Sequence, residues 1–115
     1  MSTSQNVPLV QKTYHLYAAT HEAVKRFPKT DRYTLGERIK SLLLEILELL
    51  IEAETAKRDW KEPALVKASR KLGLLKLLIR LAHETKALDN RSYLALAEEL
   101  VAIGRMIGGW IKAVQ

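Results

Sequence analysis

KLGLLKLLIRLA, from Lys71 to Ala82, has Leu or Ile at seven of its twelve positions, interrupted by cations and never by carboxylates. At about 100° per residue, Leu65, Ala68, Leu72, Leu75, Ile79 and Ala82 fall on one stripe of a helix. Leu74, Leu77, Leu78 and Leu81 fall on another, on the far side. A helix in a small bundle needs one apolar stripe a little over 100° wide. One of these faces can build a core, and the other must meet something else. A Leu-rich basic helix can lie in a membrane interface. Here, however, the apolar surface is split between two sides and the preceding helix carries a carboxylate face, so contact with a second copy of the chain is expected instead, and membrane binding is not.

Working outward, the preceding segment is also too apolar for one interior. Glu45, Glu48 and Glu52 gather with Ser41 and Glu37 on one side. Leu42, Leu43, Leu44, Ile46, Leu47, Leu49, Leu50 and Ile51 fill roughly 200° of the rest. Its start is read at Thr34, where Thr34 and Glu37 match a capping box. The pattern predicts four helices, at about 8–26, 34–57, 63–87 and 90–114. Pro8 and Pro63 are placed in first turns, RDWKEP is read as a connection, and Asp89 or Asn90 is expected to cap the last helix. In the first helix Val10, Tyr14, Tyr17, His21 and Val24 form the expected stripe, flanked by Leu9, Leu16 and Phe27. No stretch alternates as a strand does. Short connections make neighbours antiparallel, so the expected fold is all-α: an up-down four-helix bundle over residues 7–115 as a single domain, after a flexible N-terminus at 1–6.

Composition narrows the function. Apolar residues make up 48% of 115, which suits a packed core and argues against disorder. The absence of cysteine excludes disulfides, thiolate metal sites and thiol nucleophiles. MSTSQNVPL has neither the basic start nor the apolar centre of a secretory signal, and no apolar run approaches the roughly twenty residues of a membrane span. A soluble, cytoplasmic protein is expected. Net charge is +6 and unevenly spread: +3 over residues 1–33, −3 over 34–56, +6 over 57–88 and zero over 89–115. Such a surplus points to a polyanion or an acidic partner.

The candidate contacts for that partner are Lys57, Arg58, Lys61, Lys67, Arg70, Lys71, Lys76 and Arg80, with Arg26 and Lys29 from the turn after the first helix. Each cation alone reads as a solvated face. Repeated around an oligomer they sum, and phosphate affinity grows steeply with the number of contacts. The aromatics are not interleaved with cations in a groove-like pattern, so backbone-type contact is expected, not base reading. Leu44, Leu47, Ile51, Leu74, Leu77, Leu78 and Leu81 are the candidate oligomer interface. Gly104 and Gly108, at G-x-x-x-G spacing, are read as a close-packing site within or between subunits, with Trp110 as core or partner anchor. His21 reads as a hydrogen-bonded packing residue. His15 and His83 lack partners at metal-ligand spacing, and no catalytic set or phosphate loop appears. No cofactor, metal or catalysis is expected.

Two stretches carry a family resemblance: RFPKTDRYTLGERI, Arg26 to Ile39, and EELVAIGRMIGGWIK, Glu98 to Lys112. Together they resemble the accessory variability determinant (Avd) family of diversity-generating retroelements. The bundles encoded in ribosomal RNA intervening sequences share the helix pattern and the Phe-Pro-Lys turn but differ at the second helix start and the Gly-Gly-Trp tail. The resemblance implies a ring-like pentamer with a basic exterior that binds the element's reverse transcriptase and associates with RNA or DNA. The alternative is a structural interaction protein of the intervening-sequence type with no specific nucleic-acid role.

Overall fold

The first helix ends where Pro28 forbids its continuation. Phe27 and Arg26 close it with tight i→i−3 bonds to Val24 and Ala23 at 3.0 and 3.1 Å, and the residue before a proline is pushed out of helical geometry. A computed structural model describes residues 3–115, with side chains from Pro8 onward. Its helices are α1 (Thr3–Lys25), α2 (Lys29–Asp31), a five-residue π segment (Arg32–Gly36), α3 (Glu37–Thr55), α4 (Arg58–Glu84) and α5 (Asn90–Val114). No strand occurs among the described residues. α3 packs on α1 and α4, and α5 packs on α4 and α1. The four long helices thus form a square in which neighbours run antiparallel, 43 Å long and 22 by 19 Å across. The all-α four-helix bundle expected from the sequence is what forms.

Every residue of the first stripe on α4, from Leu65 to Ala82, is at most 3% exposed. They meet Ile39, Leu42, Leu43, Ile46 and Leu50 of α3 and Leu96, Leu100, Ile103 and Ile107 of α5 in one core. Burying each large side chain is worth about 1.5–3 kcal/mol, which makes this core the main source of stability.

Four local readings are corrected. α1 begins at Thr3, so Pro8 lies inside it and residues 3–6 are helical; Met1 and Ser2 lie outside the described residues. The buried face of α1 is also rotated from the expected stripe. It runs Leu9, Thr13, Leu16, Thr20, Ala23, Val24 and Phe27, while Tyr14 is 63% exposed. Thr13 is tolerated inside because its hydroxyl donates to the Leu9 carbonyl at 2.9 Å, which removes the cost of an unpaired buried polar group.

Thr34 and Glu37 form no capping box, since helical geometry resumes at Lys29, straight after the extended Pro28. The rod then passes through the π segment without a break, and Thr34 donates back to the Thr30 carbonyl at 2.9 Å. α4 likewise starts five residues before the expected Pro63. Ala56 and Lys57 are extended and reverse the chain, so RDWKEP is the opening of a helix. Pro63 sits within it, where its missing N–H costs only one bond near the helix end.

Both ends of the α4–α5 connection are closed. Lys86 has φ +68°, and its N–H and that of Ala87 bond to the His83 and Ala82 carbonyls at 3.0 and 2.9 Å, a Schellman motif with lysine where glycine is usual. Asp89 caps α5, accepting from the Ser92 N–H at 2.7 Å. That bond holds the Asp89 carboxyl below its usual range.

The π segment is fixed by a close approach to α1. A Cβ on Gly36 would sit 2.6 Å from Val24 Cγ1 and 3.3 Å from the Asp31 carbonyl oxygen. Gly36 is buried, and its backbone is ordinary helix (φ −60°), so what demands glycine is space. Gly36→Ala should cost about 1–3 kcal/mol, the range for overpacking, read as a lower urea midpoint with an unchanged slope.

Candidate interaction surface

The outward strip of α4 changes character along its length. Trp60, Lys67, Arg70, Leu74, Leu77 and Leu81 fall within about 100° of the helix circumference, pointing away from the core stripe. All are exposed. The first half of the strip carries cations and an indole, and the second half carries leucines.

The candidate cations divide by what they already hold. Lys71 is committed to Glu45 of α3 at 2.8 Å. Lys61 donates to the carbonyls of Ala53 and Glu54 at 2.7 and 3.2 Å, closing the C-terminal end of α3, where unpaired carbonyls and the helix dipole favour a cation. Arg80 pairs with Glu84 along its own helix at 3.3 Å. Arg26 donates to the Glu22 carbonyl and to Ser92 Oγ at 3.3 and 3.1 Å, tying α1 to the start of α5. Lys29, Lys57, Arg58, Lys67, Arg70 and Lys76 are exposed and form no ion pair among the described residues. The structure therefore separates the ten candidates into six open cations and four with internal duties.

The candidate interface residues are distributed over two opposite faces. Leu44 and Ile51 are 45% and 47% exposed. Leu44 and the half-buried Leu47 line a groove with Tyr14, Tyr17, Ala18 and His21 of α1. Across the square, Leu74, Leu77 and Leu81 of α4 are 41–54% exposed, Leu94 and Val101 of α5 are exposed as well, and Leu77 and Val101 line one groove, while Leu78 packs partly against the core. These are two unlike apolar patches, one on the α1–α3 side and one on the α4–α5 side.

Of the close-packing set, Trp110 is core, at 7% exposure. A Cβ on Gly104 would touch Leu72 Cδ2 and Lys76 Nζ at 3.4 Å, so α4 and α5 do approach there. Gly108 has nothing within 4 Å, and no packing inside the subunit explains it. His21 stacks on Tyr17, with ring centroids 6.2 Å apart, but its Nδ1 is buried without a hydrogen-bond partner, unlike the bonded packing residue expected. No group of three or more His, Cys, Asp or Glu stands close enough to hold a metal among the described residues.

Trp60, 67% exposed in the first turn of α4, escapes the sequence reading. Taking Pro63 as the helix start puts the indole in a connection. Seven residues before Lys67, it shares that lysine's face once the helix is extended back to Arg58.

Side chains fill the interior of the bundle, and its outer strips carry open charge and open leucines. The chain belongs to the bAvd-like family, whose sequence model matches residues 7–114. This is an accessory class of the retroelement type, non-catalytic in kind. Comparison with curated proteins gives no match. No helix is long and apolar enough to cross a membrane among the described residues.

Glu45 is the electrostatic joint between α3 and α4. The hydrogen bond from Lys71 Nζ, with Coulombic help from Lys71 and from Arg38 at 3.3 Å, holds its carboxyl below the ordinary 4.5 against the opposing effect of burial. A carboxylate depressed in the folded state contributes stability that is full above its unfolded pKa and is lost as pH falls through the folded one. The loss should thus begin on the acid side of pH 4.5. Urea unfolding of Glu45→Gln at a series of pH values should show a shallower decline there than the parent, with a small amplitude because the pair is about a third exposed.

Proposed function

We propose that the protein is a non-catalytic accessory protein of a diversity-generating retroelement. It binds the reverse transcriptase and the template RNA or its cDNA through a basic surface, in the cytoplasm, and supports mutagenic copying as an electrostatic scaffold. Copies of the chain form a ring-like oligomer, a pentamer by the family resemblance. Leu44, Leu47 and Ile51 of one subunit face Leu74, Leu77, Leu78 and Leu81 of the next.

The observation that carries this reading is the pair of unlike apolar patches on opposite sides of the square. A self-complementary patch makes a two-fold dimer. Two different patches make head-to-tail contacts, which close into a ring when the rotation allows. Patches this open on a lone subunit would invite aggregation. The open cations lie alongside, so each added subunit repeats Lys57, Arg58, Lys67, Arg70 and Lys76 around the ring. Nucleic-acid affinity built on phosphate contacts falls linearly in log–log terms with salt, with a slope set by the number of contacts.

Light scattering should find an oligomer at micromolar concentration. Leu77→Lys and Leu44→Lys, each on a different patch, should both dissociate it with helical content unchanged. A compact, well-behaved parent monomer would overturn the ring.

Lys67→Ala with Arg70→Ala should weaken RNA binding and reverse-transcriptase capture while leaving the oligomer intact. The salt slope for RNA should drop by about one for each phosphate that is no longer neutralised. Binding unchanged across a salt series would instead support an intervening-sequence type of structural protein.

A further inference from the structure

We propose that Trp60 is a base-stacking platform for single-stranded nucleic acid, so that the basic face of α4 grips a strand by a base as well as by its phosphates. The inference rests on the reading of that face as a nucleic-acid surface and deepens it, because it specifies unpaired strand as the ligand.

The indole is 67% exposed and has no aromatic or cationic partner among the described residues. An indole exposed over two thirds of its surface leaves a large flat apolar face to solvent. Its neighbours say what would cover it. Lys67 and Arg70 follow on the same side of the helix, about 10 and 15 Å further along the axis, and Lys57 and Arg58 lie in the turn before it, separated from it by Asp59. All four are open, as described above. Stacking on an aromatic combined with cations that track the backbone is how proteins hold single strands without reading sequence.

The acidic residues nearby confine the path. Asp59 lies on the Arg70–Leu77 edge of the same strip, about 100° round the helix from the Trp60–Lys67 edge, and Glu62 accepts from Gln115 at 2.9 Å on the α5 side. Glu48 and Glu52 of α3 lie at least partly open to solvent and would repel a strand that strayed over that helix. A polyanion is thus directed along α4, from Trp60 past Lys67 to Arg70. Duplex cannot use the platform, because its bases are already stacked on one another and only an unpaired base can be splayed onto an aromatic ring.

The molecule carries its own probe. It has two tryptophans, and Trp110, at 7% exposure, is shielded in the core, so changes in emission on adding a ligand report Trp60. Titrating short oligo(U) or oligo(dT) into the intact protein should quench and shift that emission, and duplex of equal length should not. Trp60→Ala should weaken single-strand binding about 5- to 150-fold, leave the salt slope and duplex binding unchanged, and be partly rescued by Trp60→Phe. If oligomers bind with the parent salt slope but without quenching, or Trp60→Ala binds them equally well, stacking is overturned while the basic-face reading stands. If no oligomer binds at all, both fall. An indole shielded from acrylamide before any nucleic acid is added, or answering only to the polymerase, would make Trp60 a protein contact and likewise overturn the proposal.

Discussion

A four-helix bundle has a single interior, and each helix can give it only one stripe. That limit on interior room governs this molecule. α3 and α4 each carry a second set of aliphatic side chains for which the square has no space, and the core is complete without them. Leu42, Ile46 and Leu50 on α3 and Leu65, Leu72 and Leu75 on α4 are essentially inaccessible. What remains outside is therefore surplus to folding, and its placement on opposite sides gives the subunit a direction.

Charge is arranged around the same limit. Glu45 is surrounded by Lys71 and Arg38 where α3 meets α4, and Lys61 closes the end of α3. These cations hold the pair together and have little left for a partner. Arg58, Lys67, Arg70 and Lys76 of α4 form no such pair among the described residues and stay open. A positive surface thus survives on a chain that commits Glu22, Glu37, Glu45, Glu84 and Glu99 to bases near them.

The architecture is legible in the sequence where periodicity is strong. The core stripe of α4 and the surplus apolar arc of α3 can be read from residue spacing, and the cap of α5 narrows to Asp89 or Asn90, of which the fold uses Asp89. Spacing misleads where a local signal is ambiguous. Thr13 and Thr20 look polar but are inside, Thr13 with its hydroxyl satisfied on the Leu9 carbonyl, so apolar residues alone draw the stripe of α1 through Tyr14 instead. Pro63 suits a first turn, and reading it as one hides Trp60. Thr34 and Glu37 have capping-box spacing, but Pro28 has already restarted the helix. For the surface, residue type shows which side chains can make contacts but not which are already occupied. The separation of Lys67 and Arg70 from Lys61 and Lys71 depends on where α3 lies, which no spacing within α4 encodes.

The π segment has a consequence for how this chain can change length. A π turn holds one residue more than the α turn it replaces, so Arg32–Gly36 already accommodates an extra residue without twisting α3 about its axis. Dropping one residue there would let the turn relax to α geometry and keep Leu42 and Ile46 aimed inward. The same loss a turn or two later, inside α3, would rotate everything beyond it by about 100° and exchange its leucine and glutamate faces. Tolerance to insertion and deletion along this rod is therefore concentrated at its one irregular turn, next to the glycine that lets that turn lie against α1.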